Sequence, residues 1–370
     1  MLLGILRARG QTPAPGIDED WALLMLAGHG GVGHIDVFPN DDEARNWYAD
    51  MQPAPLMPVN ESLGSTLRDL MTWLDVDTAT LLRTLGPTPT VGGAIPKLLL
   101  SIPATGWNGE ISTPRKGNDP GRIDIVLKFE PSHAYPGMTE IESLAYTLHA
   151  EAGFDVPRHW RCWIGGMPAI AIERFDRDEN GLPLPLESCF AILAAGAADI
   201  NTHIDGSYER IAKAIDTPSL RLVGDRRDAK RHLFRRVIMA LLTGNGDLHL
   251  GNLSIRGWGE EARFSPVYDP APMRAYSRHN MLCPIPFGDY GDYNSGGGHI
   301  IGLGEALINF AHNLGLQQQK AWQYISGLLQ VTADYPERID ALETLPGEHK
   351  ERLKAIARKM HIALSSFVDS

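Results

Sequence analysis

Two acids and an amide occupy a glycine-rich loop, and the stretch just after it, in the second half of the chain. Asp247 and Asn252 are five residues apart, and Asp269 follows in the string Val-Tyr-Asp-Pro. In phosphoryl transfer a loop aspartate orients the attacking hydroxyl and accepts its proton, an amide oxygen later in the loop reaches a metal ion, and a second carboxylate binds Mg²⁺. The spacing therefore predicts phosphotransfer with Asp247 as the catalytic residue, although a solvated turn uses the same residue types.

The loop has the order of groups found in protein kinases. Kinases carry H-R-D-x-x-x-x-N and then D-F-G, and here the strings are N-G-D-L-H-L-G-N and V-Y-D-P. His249 lies two positions after Asp247. Its ring can contact phosphate or hydrogen-bond within the loop, and neither role requires it to bind a metal.

Residues upstream could bind the phosphates of a nucleotide. Lys128 lies near the end of the strand-like run Arg122–Phe129, so it is either an edge-strand charge or the lysine that reaches ATP phosphates. The glycine pair Gly92-Gly93 lets a backbone approach phosphate closely, although such pairs also form ordinary turns. Glu142, on a predicted helix, could pair with Lys128 or be a solvated acid in a first helical turn.

The hydrophobic pattern predicts an α+β protein with a two-lobed, protein-kinase-like fold: a β-rich N-terminal lobe and an all-helical C-terminal lobe. We assign residues 1–60 to a small N-terminal subdomain, 61–177 to the N-lobe with a hinge at Glu173–Arg177, and 178–370 to the C-lobe. The predicted strands are Val32–Phe38, Leu98–Ile102, Arg122–Phe129 and Ala169–Phe175. The predicted helices are Glu61–Leu85, Glu140–His149, Phe190–Ala198, Asp228–Leu242, Leu303–Leu314, Trp322–Thr332 and Glu348–Phe367.

Composition limits the classes of function. The chain has 34 basic and 45 acidic residues and a formal net charge of −11, which argues against nucleic-acid binding by the chain alone. Its three cysteines lack metal-ligand spacing, and we find no signal peptide or membrane span, so we expect a cytoplasmic protein. The basic run Arg221–Arg236 is either a solvated helix face or a docking surface for an acidic macromolecule.

Together these strings resemble the HipA family of bacterial Ser/Thr protein kinases, the toxin halves of toxin–antitoxin pairs. The likeness covers nearly the whole chain, and its specific parts are the order of the motifs and the string Glu-Arg-Phe-Asp-Arg at 173–177. The matching stretches are Trp21–His29, His34–Pro39, Gly93–Leu98, the Lys128 strand, Ala150–Pro157, the loop at 244–254 and Tyr268-Asp269.

The resemblance implies a role for each matching residue, with ATP and Mg²⁺ as cofactors. Asp247 would be catalytic, Asn252 and Asp269 would bind Mg²⁺, and Lys128 would contact the phosphates. The turn at Gly92, Gly93 and Ala94 would approach the phosphates, Glu173 and Phe175 would contact adenine, and His249 would lie beside the nucleotide. Thr90 matches the hydroxyl residue whose phosphorylation ejects the glycine turn in some relatives.

The resemblance also implies partners. These are a protein substrate such as an aminoacyl-tRNA synthetase or another translation component, and a helix-turn-helix antitoxin through which DNA would be reached indirectly. No membrane partner is expected. The chain departs from the family pattern at Gly92, Ile95, Gly251 and Leu186-Glu-Ser188. These changes concern autophosphorylation and one nucleotide contact more than the catalytic carboxylates.

Two other functions stay open. The string Gly246–Asn252 is also similar to the loop of aminoglycoside and choline phosphotransferases, whose acceptors are small molecules. Asn245 and Leu250 depart from that pattern, and the first two hundred residues favour the HipA resemblance. The third alternative is an inactive nucleotide-binding module that regulates by complex formation.

Overall fold

The computed structural model describes residues 6–7, 10–49, 54–59, 95, 97–290 and 301–368. These residues mix helices and strands, as expected for an α+β protein. The chain divides into two compact units: unit 1 contains 1–134 and 157–185, and unit 2 contains 135–156 and 186–370. The predicted helix Glu61–Leu85, Thr90 and the turn residues Gly92, Gly93 and Ala94 lie outside the described residues.

Unit 1 is built on a four-stranded antiparallel sheet in the order β2-β4-β6-β5. Its strands are β2 (Lys97–Pro103), β4 (Arg122–Phe129), β5 (His159–Ile164) and β6 (Met167–Glu173). The short strands β1 (Met57–Pro58) and β3 (Glu110–Ile111) pair separately. Alternate residues of the sheet, such as Leu100, Leu127 and Phe129, form one buried cluster, because successive side chains of a strand point to opposite faces. The predicted strand Arg122–Phe129 is confirmed at both ends.

The N-terminal part of unit 1 is helical. Helices α1 (Ile17–Ala27) and α2 (Asp41–Ala49) flank a connection that contains no strand between residues 28 and 40. The strand predicted over Val32–Phe38 is therefore wrong. The alternating polar and apolar residues of this stretch are exposed or half-buried, and in the connection the backbone N–H of Val37 donates to the carbonyl of Gly28 rather than to a ladder partner.

Unit 2 is mainly helical. Its helices are α3 (Met138–Glu151), α4 (Cys189–Ala194), α5 (Tyr208–Asp216), α6 (Arg226–Thr243), α7 (Leu303–Asn313), α8 (Gln318–Val331), α9 (Tyr335–Asp340) and α10 (Gly347–Val368). α6 is the central helix, because almost every residue from Leu233 to Thr243 is buried. Asp225 caps its N-terminus by accepting from the backbone N–H groups of Arg227 and Asp228.

The prediction of an all-helical second lobe is wrong in one respect. Unit 2 contains a three-stranded antiparallel sheet in the order β7 (Leu186–Ser188), β8 (Ser254–Arg256) and β9 (Arg263–Phe264). Each strand has two or three residues, which is too short for an alternating pattern to be recognised in the sequence. β8 follows directly after the predicted catalytic loop, so the sheet fixes the direction in which the chain leaves that loop.

The helix α3 belongs to unit 2 although the sequence around it belongs to unit 1. Its Glu140 is 4% exposed and accepts hydrogen bonds from the backbone N–H groups of Glu343, Thr344 and Leu345, at 3.0, 2.7 and 3.2 Å. A carboxylate that accepts several backbone donors compensates the cost of its burial. This cluster ties α3 to the segment that precedes α10.

The basic run in and before α6 is largely used within unit 2. Lys230 pairs with Asp216 at 2.9 Å, Arg235 donates to the carbonyl of Ala152, and Arg236 is only 2% exposed. These contacts favour a structural use of the run over a docking surface. No helix among the described residues is long and apolar enough to cross a membrane.

Candidate active site

The predicted catalytic loop begins where α6 ends. Gly244 adopts a left-handed conformation, with φ 74° and ψ 33°, and its N–H donates to the carbonyl of Ala240. Glycine tolerates this conformation because it has no Cβ, which makes it the usual residue at such a helix end. At Gly246, where φ is 62°, a Cβ would lie 2.6 Å from a side-chain carbon of Arg274 and 2.8 Å from the carbonyl of Met281. The two glycines therefore allow the loop to turn sharply and to pass close to Arg274 and Met281.

Asn245 joins the loop to the segment that carries Asp269. Its side chain accepts a hydrogen bond from the backbone N–H of Asp247 at 2.7 Å and donates to the backbone carbonyl of Asp269 at 3.4 Å. Asn245 is 1% exposed, and its own carbonyl accepts from the N–H of Met273 at 3.1 Å. One buried amide thus holds the backbones of both predicted acids, which brings Asp247 and Asp269 together in unit 2.

Asp247 and Asn252 are interlocked through the loop backbone. The side-chain amide of Asn252 donates to the carbonyl of Asp247 at 2.8 Å, and the N–H of His249 donates to the same carbonyl at 2.8 Å. Because the Asn252 nitrogen is used in this way, its amide oxygen is the atom suited to a metal ion. The Asp247 side chain is 44% exposed, so an acceptor hydroxyl can reach it.

The ring of His249 has a defined orientation in the loop. Its Nδ1 accepts from the backbone N–H of Gly251 at 3.1 Å, and its Nε2 lies 3.9 Å from Oδ1 of Asp247. A backbone N–H can only donate, so the neutral ring carries its proton on Nε2. Its own backbone carbonyl accepts from the N–H of Asn252 at 2.9 Å. His249 is therefore packed into the same set of bonds as the two predicted catalytic-loop residues.

Asp269 has strained backbone geometry. Its φ is +46°, in the left-handed region that residues with a Cβ adopt uncommonly, aspartate more often than most. Such strain costs on the order of 1–3 kcal/mol and clusters at functional sites. Neighbouring tyrosines contact the segment: Tyr268 donates to the carbonyl of Gly251 at 2.7 Å, and the buried phenol of Tyr146 interacts electrostatically with Asp269.

Three buried phenols and one buried guanidinium underlie the site. Burial raises the pKa of Tyr146, Tyr208 and Tyr268 well above 10, so each phenol stays protonated. Tyr208 donates to the carbonyl of Leu248 at 2.6 Å. Arg236 interacts electrostatically with all three phenols, and burial lowers its pKa to about 10, which leaves it charged at neutral pH.

The oxygen atoms of Asn252 and Asp269 suit a hard divalent cation. Mg²⁺ is usually held by one or two protein oxygens together with substrate phosphates and water. The described residues contain no group of three or more His, Cys, Asp or Glu side chains that could hold a metal by itself. The donor set therefore fits a Mg²⁺ ion that shares its coordination with nucleotide phosphates.

Lys128 lies on the central strand β4 of unit 1. It is opposite Lys97 on β2 and Ile170 on β6, so it is not an edge-strand charge. Its neighbours Leu127 and Phe129 belong to the buried cluster on one face of the sheet, which directs Lys128 to the other face. Lys128 is 3% exposed. Lys128 is therefore a buried lysine and not a solvated surface charge.

The predicted hinge residues end strand β6 in unit 1. The carboxylate of Glu173 forms a bidentate ion pair with Arg158, at 2.7 and 2.9 Å, and its backbone N–H donates to the Arg158 carbonyl at 2.9 Å. Both groups of Glu173 are thus used within unit 1. Phe175 is half-buried and lies within a string whose charged members form a buried ion cluster.

We call Arg174, Asp176 and Arg177 the hinge ion cluster. Arg174 donates to both carboxylate oxygens of Asp176, at 3.0 and 2.8 Å, and Arg177 donates to Asp176 at 2.9 Å. The N–H of Gly33 also donates to Asp176 at 2.9 Å, and Arg177 donates to the carbonyl of Gly31 at 2.7 Å. The cluster therefore attaches the N-terminal connection of unit 1 to the end of β6.

The comparison with protein families identifies the chain. Residues 90–335 match the family described as the HipA-like C-terminal domain. The chain belongs to this family. The match includes the strand of Lys128, the hinge ion cluster, the predicted catalytic loop and Asp269, so the resemblance predicted from the sequence is confirmed.

Curated relatives of this HipA-family chain are named as kinases. A Haemophilus influenzae protein named "Putative kinase" is 27% identical over 298 residues, which cover 73% of this chain and 80% of the relative. The Sinorhizobium fredii protein named "Putative kinase Y4mE" is 26% identical over 290 residues, or 73% of this chain and 60% of the relative. These names support a kinase, which implies ATP and a divalent metal in general.

Solved structures support the fold. The complex of HipA, HipB and operator DNA from Shewanella oneidensis MR-1 matches with a TM-score of 0.66 and 19% identity, over 99% of this chain and 83% of that one. The Helicobacter pylori proinflammatory kinase CtkA matches with a TM-score of 0.50 and 13% identity, over 77% and 96% of the two chains. The HipA-family chain thus shares its fold with a HipA protein and, more distantly, with another kinase.

Several supporting residues were not predicted from the sequence. Asn245 counted only as a departure from the phosphotransferase pattern, whereas it is the junction between the two acids. Tyr208 lies 40 residues before the Leu248 carbonyl that it contacts, and Tyr146 lies further still from Asp269. An asparagine on each side of the predicted catalytic aspartate is a local signal that could have been used for Asn245. The tyrosine contacts depend on the fold.

Proposed function

We propose that this HipA-family protein is an ATP- and Mg²⁺-dependent kinase that phosphorylates Ser or Thr residues of a protein. The observation that carries the proposal is the interlock around Asn245, which holds Asp247 and Asp269, together with the bond from the Asn252 amide to the Asp247 carbonyl. This arrangement supplies a solvent-reachable carboxylate and two hard oxygen ligands on one rigid loop system. These are the groups that phosphoryl transfer requires.

In the proposed reaction Asp247 orients the acceptor hydroxyl and accepts its proton. The hydroxyl oxygen forms a bond to the γ-phosphorus while the bond from that phosphorus to the β–γ bridging oxygen breaks, and ADP leaves with the electron pair. A Mg²⁺ ion bound by Asn252 and Asp269 would neutralise phosphate charge. The buried phenols and Asn245 keep the loop fixed, so little reorganisation is needed when the substrate binds.

The remaining assignments extend the proposal to the nucleotide. Lys128 would contact the phosphates, and the turn at Gly92, Gly93 and Ala94 would approach them with its backbone. Glu173 and Phe175 would contact adenine, Glu173 through its backbone carbonyl, since its carboxylate and its N–H are both bonded to Arg158. His249 would lie beside the nucleotide, and Thr90 would be the site of autophosphorylation.

We further propose that the protein is the toxin of a bacterial toxin–antitoxin pair and acts in the cytoplasm. By family resemblance its target would be a translation component such as an aminoacyl-tRNA synthetase, and its antitoxin a helix-turn-helix protein. The structural relative from Shewanella oneidensis MR-1 was solved with HipB and operator DNA, which supports a partner of this kind. The net charge of −11 favours contact with DNA through the antitoxin only.

The test is phosphoproteomic mass spectrometry of a bacterial cytosolic extract incubated with Mg·ATP and the purified protein. We expect one or a few new phospho-Ser or phospho-Thr sites with the native protein and with Asp228→Asn, a surface acid on α6. Asp247→Asn should lower their formation by about 10²–10⁴-fold, the usual contribution of a general base. A site at Thr90 would support autophosphorylation.

Two results would contradict the protein-kinase proposal. ATP consumption that depends on Asp247 without any new phosphoprotein would indicate the small-molecule phosphotransferase. If the native protein consumes no ATP, and Asp247→Asn still binds its partner as the native protein does, the protein would be a regulatory module.

A further inference from the structure

One segment of unit 2 contacts three consecutive residues of the catalytic loop. We call residues 199–208 the loop support. The phenol of Tyr208 donates to the carbonyl of Leu248 at 2.6 Å, and the backbone carbonyl of His203 accepts from the N–H of Leu250 at 3.0 Å. Between them, the rings of His203 and His249 lie with their centroids 4.1 Å apart. The loop support therefore contacts residues 248, 249 and 250 through two hydrogen bonds to their backbone and one ring contact.

The loop support is itself held in a defined conformation. One carboxylate oxygen of Asp205 accepts from the N–H groups of Asn201 and Thr202, at 2.8 and 2.7 Å. Ser207 then caps α5 by accepting from the N–H of Arg210. The turn that carries His203 is thus closed from both sides. A side chain on such a turn loses little freedom when it packs against a neighbour, so the contact is inexpensive in entropy.

The ring contact reaches a residue that is bonded to both sides of the catalytic loop. The backbone N–H of His249 donates to the carbonyl of Asp247 at 2.8 Å, and its carbonyl accepts from the N–H of Asn252 at 2.9 Å. The His249 ring accepts from the N–H of Gly251 at 3.1 Å. A rotation of this ring would break the Gly251 bond and disturb the turn that joins Asp247 to Asn252.

We propose that His203 is a positioning residue for Asp247 and that it acts through the ring of His249. This role rests on the proposed function, because it presumes that Asp247 takes part in catalysis. His203 is exposed on its outer side, so its ring is not needed to fill the core of unit 2. Its contribution is to limit the orientations of the His249 ring, and thereby to keep the 247–252 turn in one conformation.

The kinetic test compares His203→Ala with His203→Phe, which keeps an aromatic ring against His249. Ile204→Ala, an exposed neighbour on the same turn that is 48% exposed, is the matched control. We expect His203→Ala to lower kcat by about tenfold at a nearly constant KM for ATP, since misplacement by about 1 Å can cost up to about 10²-fold in rate. His203→Phe should recover most of the rate, and Ile204→Ala should behave like the native protein.

A second measurement separates this role from the proposed function. Hydrogen exchange at the Gly251 amide reports the bond to His249 Nδ1 whether or not the protein is a kinase. We expect faster exchange at Gly251 in His203→Ala, native exchange in His203→Phe, and unchanged exchange in the buried centre of α6. If the native protein has no transfer activity but the variants show this exchange pattern, the proposed function is overturned and the ring contact is still established.

Two outcomes would overturn the role of His203. The first is native kcat in His203→Ala when the native protein is active. The second is an equal loss of kcat in the Ala and Phe variants together with an unchanged Gly251 exchange rate, because the ring contact could then not be the cause.

Discussion

The hinge ion cluster in unit 1 is held by charged groups, whereas the predicted catalytic loop in unit 2 is held by neutral groups. Arg174, Asp176 and Arg177 satisfy each other as buried ions, and Arg174 and Asp176 are 5% and 3% exposed. The predicted catalytic loop is bound instead by neutral groups: the Asn245 side chain accepts from the N–H of Asp247, and the phenols of Tyr208 and Tyr268 donate to backbone carbonyls. A neutral group fixes a backbone without contributing a charge that would compete with a bound metal or phosphate.

This difference suggests how each string should respond to substitution. In the hinge ion cluster the charges are structural, so removing one leaves the others buried and unpaired. Around the predicted catalytic loop, buried groups such as the Tyr268 and Tyr335 phenols are structural, and the chemistry is proposed for other residues. Loss of a buried group in unit 2 should therefore lower activity only where that group contacts the predicted catalytic loop.

The largest effect on stability is expected for Asp176→Ala. It would leave Arg174 and Arg177 without their shared carboxylate, and breaking a buried pair costs about 3–5 kcal/mol. Arg158→Ala is the matched control, because it removes an ion pair whose arginine side chain is 52% exposed and should cost less than about 1 kcal/mol. The measurement is the free energy of unfolding in urea. Equal losses for the two variants would mean that the cluster is not structurally important.

An intermediate effect is expected for Tyr268→Phe. The change removes the donor to the Gly251 carbonyl and the partner of the Ser254 hydroxyl, at a cost of about 1–3 kcal/mol. Tyr335→Phe removes a buried phenol that donates to the Thr243 carbonyl at 3.1 Å and should cost a similar amount. Only Tyr268→Phe should also reduce the Asp247-dependent rate. A loss of activity in both variants would mean that activity follows the stability of unit 2 and not the contacts of the predicted catalytic loop.

The smallest effect is a difference in acid sensitivity. Burial first, and then the charge of Arg236, lower the pKa of His149 well below 6.5. Below pH 6.5 the His149 ring is therefore protonated in the unfolded protein and neutral in the folded protein. Its contribution to stability is therefore lost as the pH falls below 6.5, by about 1.4 kcal/mol per pH unit. His149→Phe should flatten the dependence of the urea midpoint between pH 6.5 and 5.5, and His312→Gln, at an exposed position on α7, should not.

The hinge ion cluster should respond to acid in a lower range. Burial raises the pKa of Asp176, but the charges of Arg174 and then Arg177 lower it by more. The pKa of Asp176 therefore lies below 3.8. A lowered carboxyl pKa contributes stability above the unfolded value of 3.8, and this is lost as the pH falls through the folded value. Acid should therefore weaken unit 2 before it protonates this cluster. A loss of unit 1 protection from hydrogen exchange near pH 6 that is absent in Asp176→Ala would contradict this order.

The sequence predicted those features that depend on local pattern. Arg122–Phe129 alternates regularly and forms a strand with those bounds, and the apolar spacing of Asp228–Leu242 lies within the helix Arg226–Thr243. The five-residue spacing from Asp247 to Asn252 located a loop in which those two residues are bonded to each other. Val32–Phe38 shows that alternation alone is insufficient, because a strand also needs a neighbour to pair with.

The rest could not be predicted because it depends on contacts between distant residues. The central position of Lys128 follows from pairing on both sides of β4, which the sequence left open. His203 and His249 meet because α5 and the loop are packed together, and their separation of 46 positions carries no periodic signal. The string at 173–177 was recognised by its residue types, but its use as an ion cluster required the positions of Gly31 and Gly33.

The placement of α3 determines how the protein can be divided experimentally. The segment 135–156 folds with unit 2, so a fragment that begins at 186 would lack the Glu140 carboxylate that receives the N–H groups of Glu343, Thr344 and Leu345. Strands β5 and β6 are then an insertion in unit 2 that contributes half of the four-stranded sheet of unit 1. Each unit is therefore built from two stretches of chain that are separated by a stretch of the other unit. Neither unit can complete its core before residues 157–185 have been synthesised.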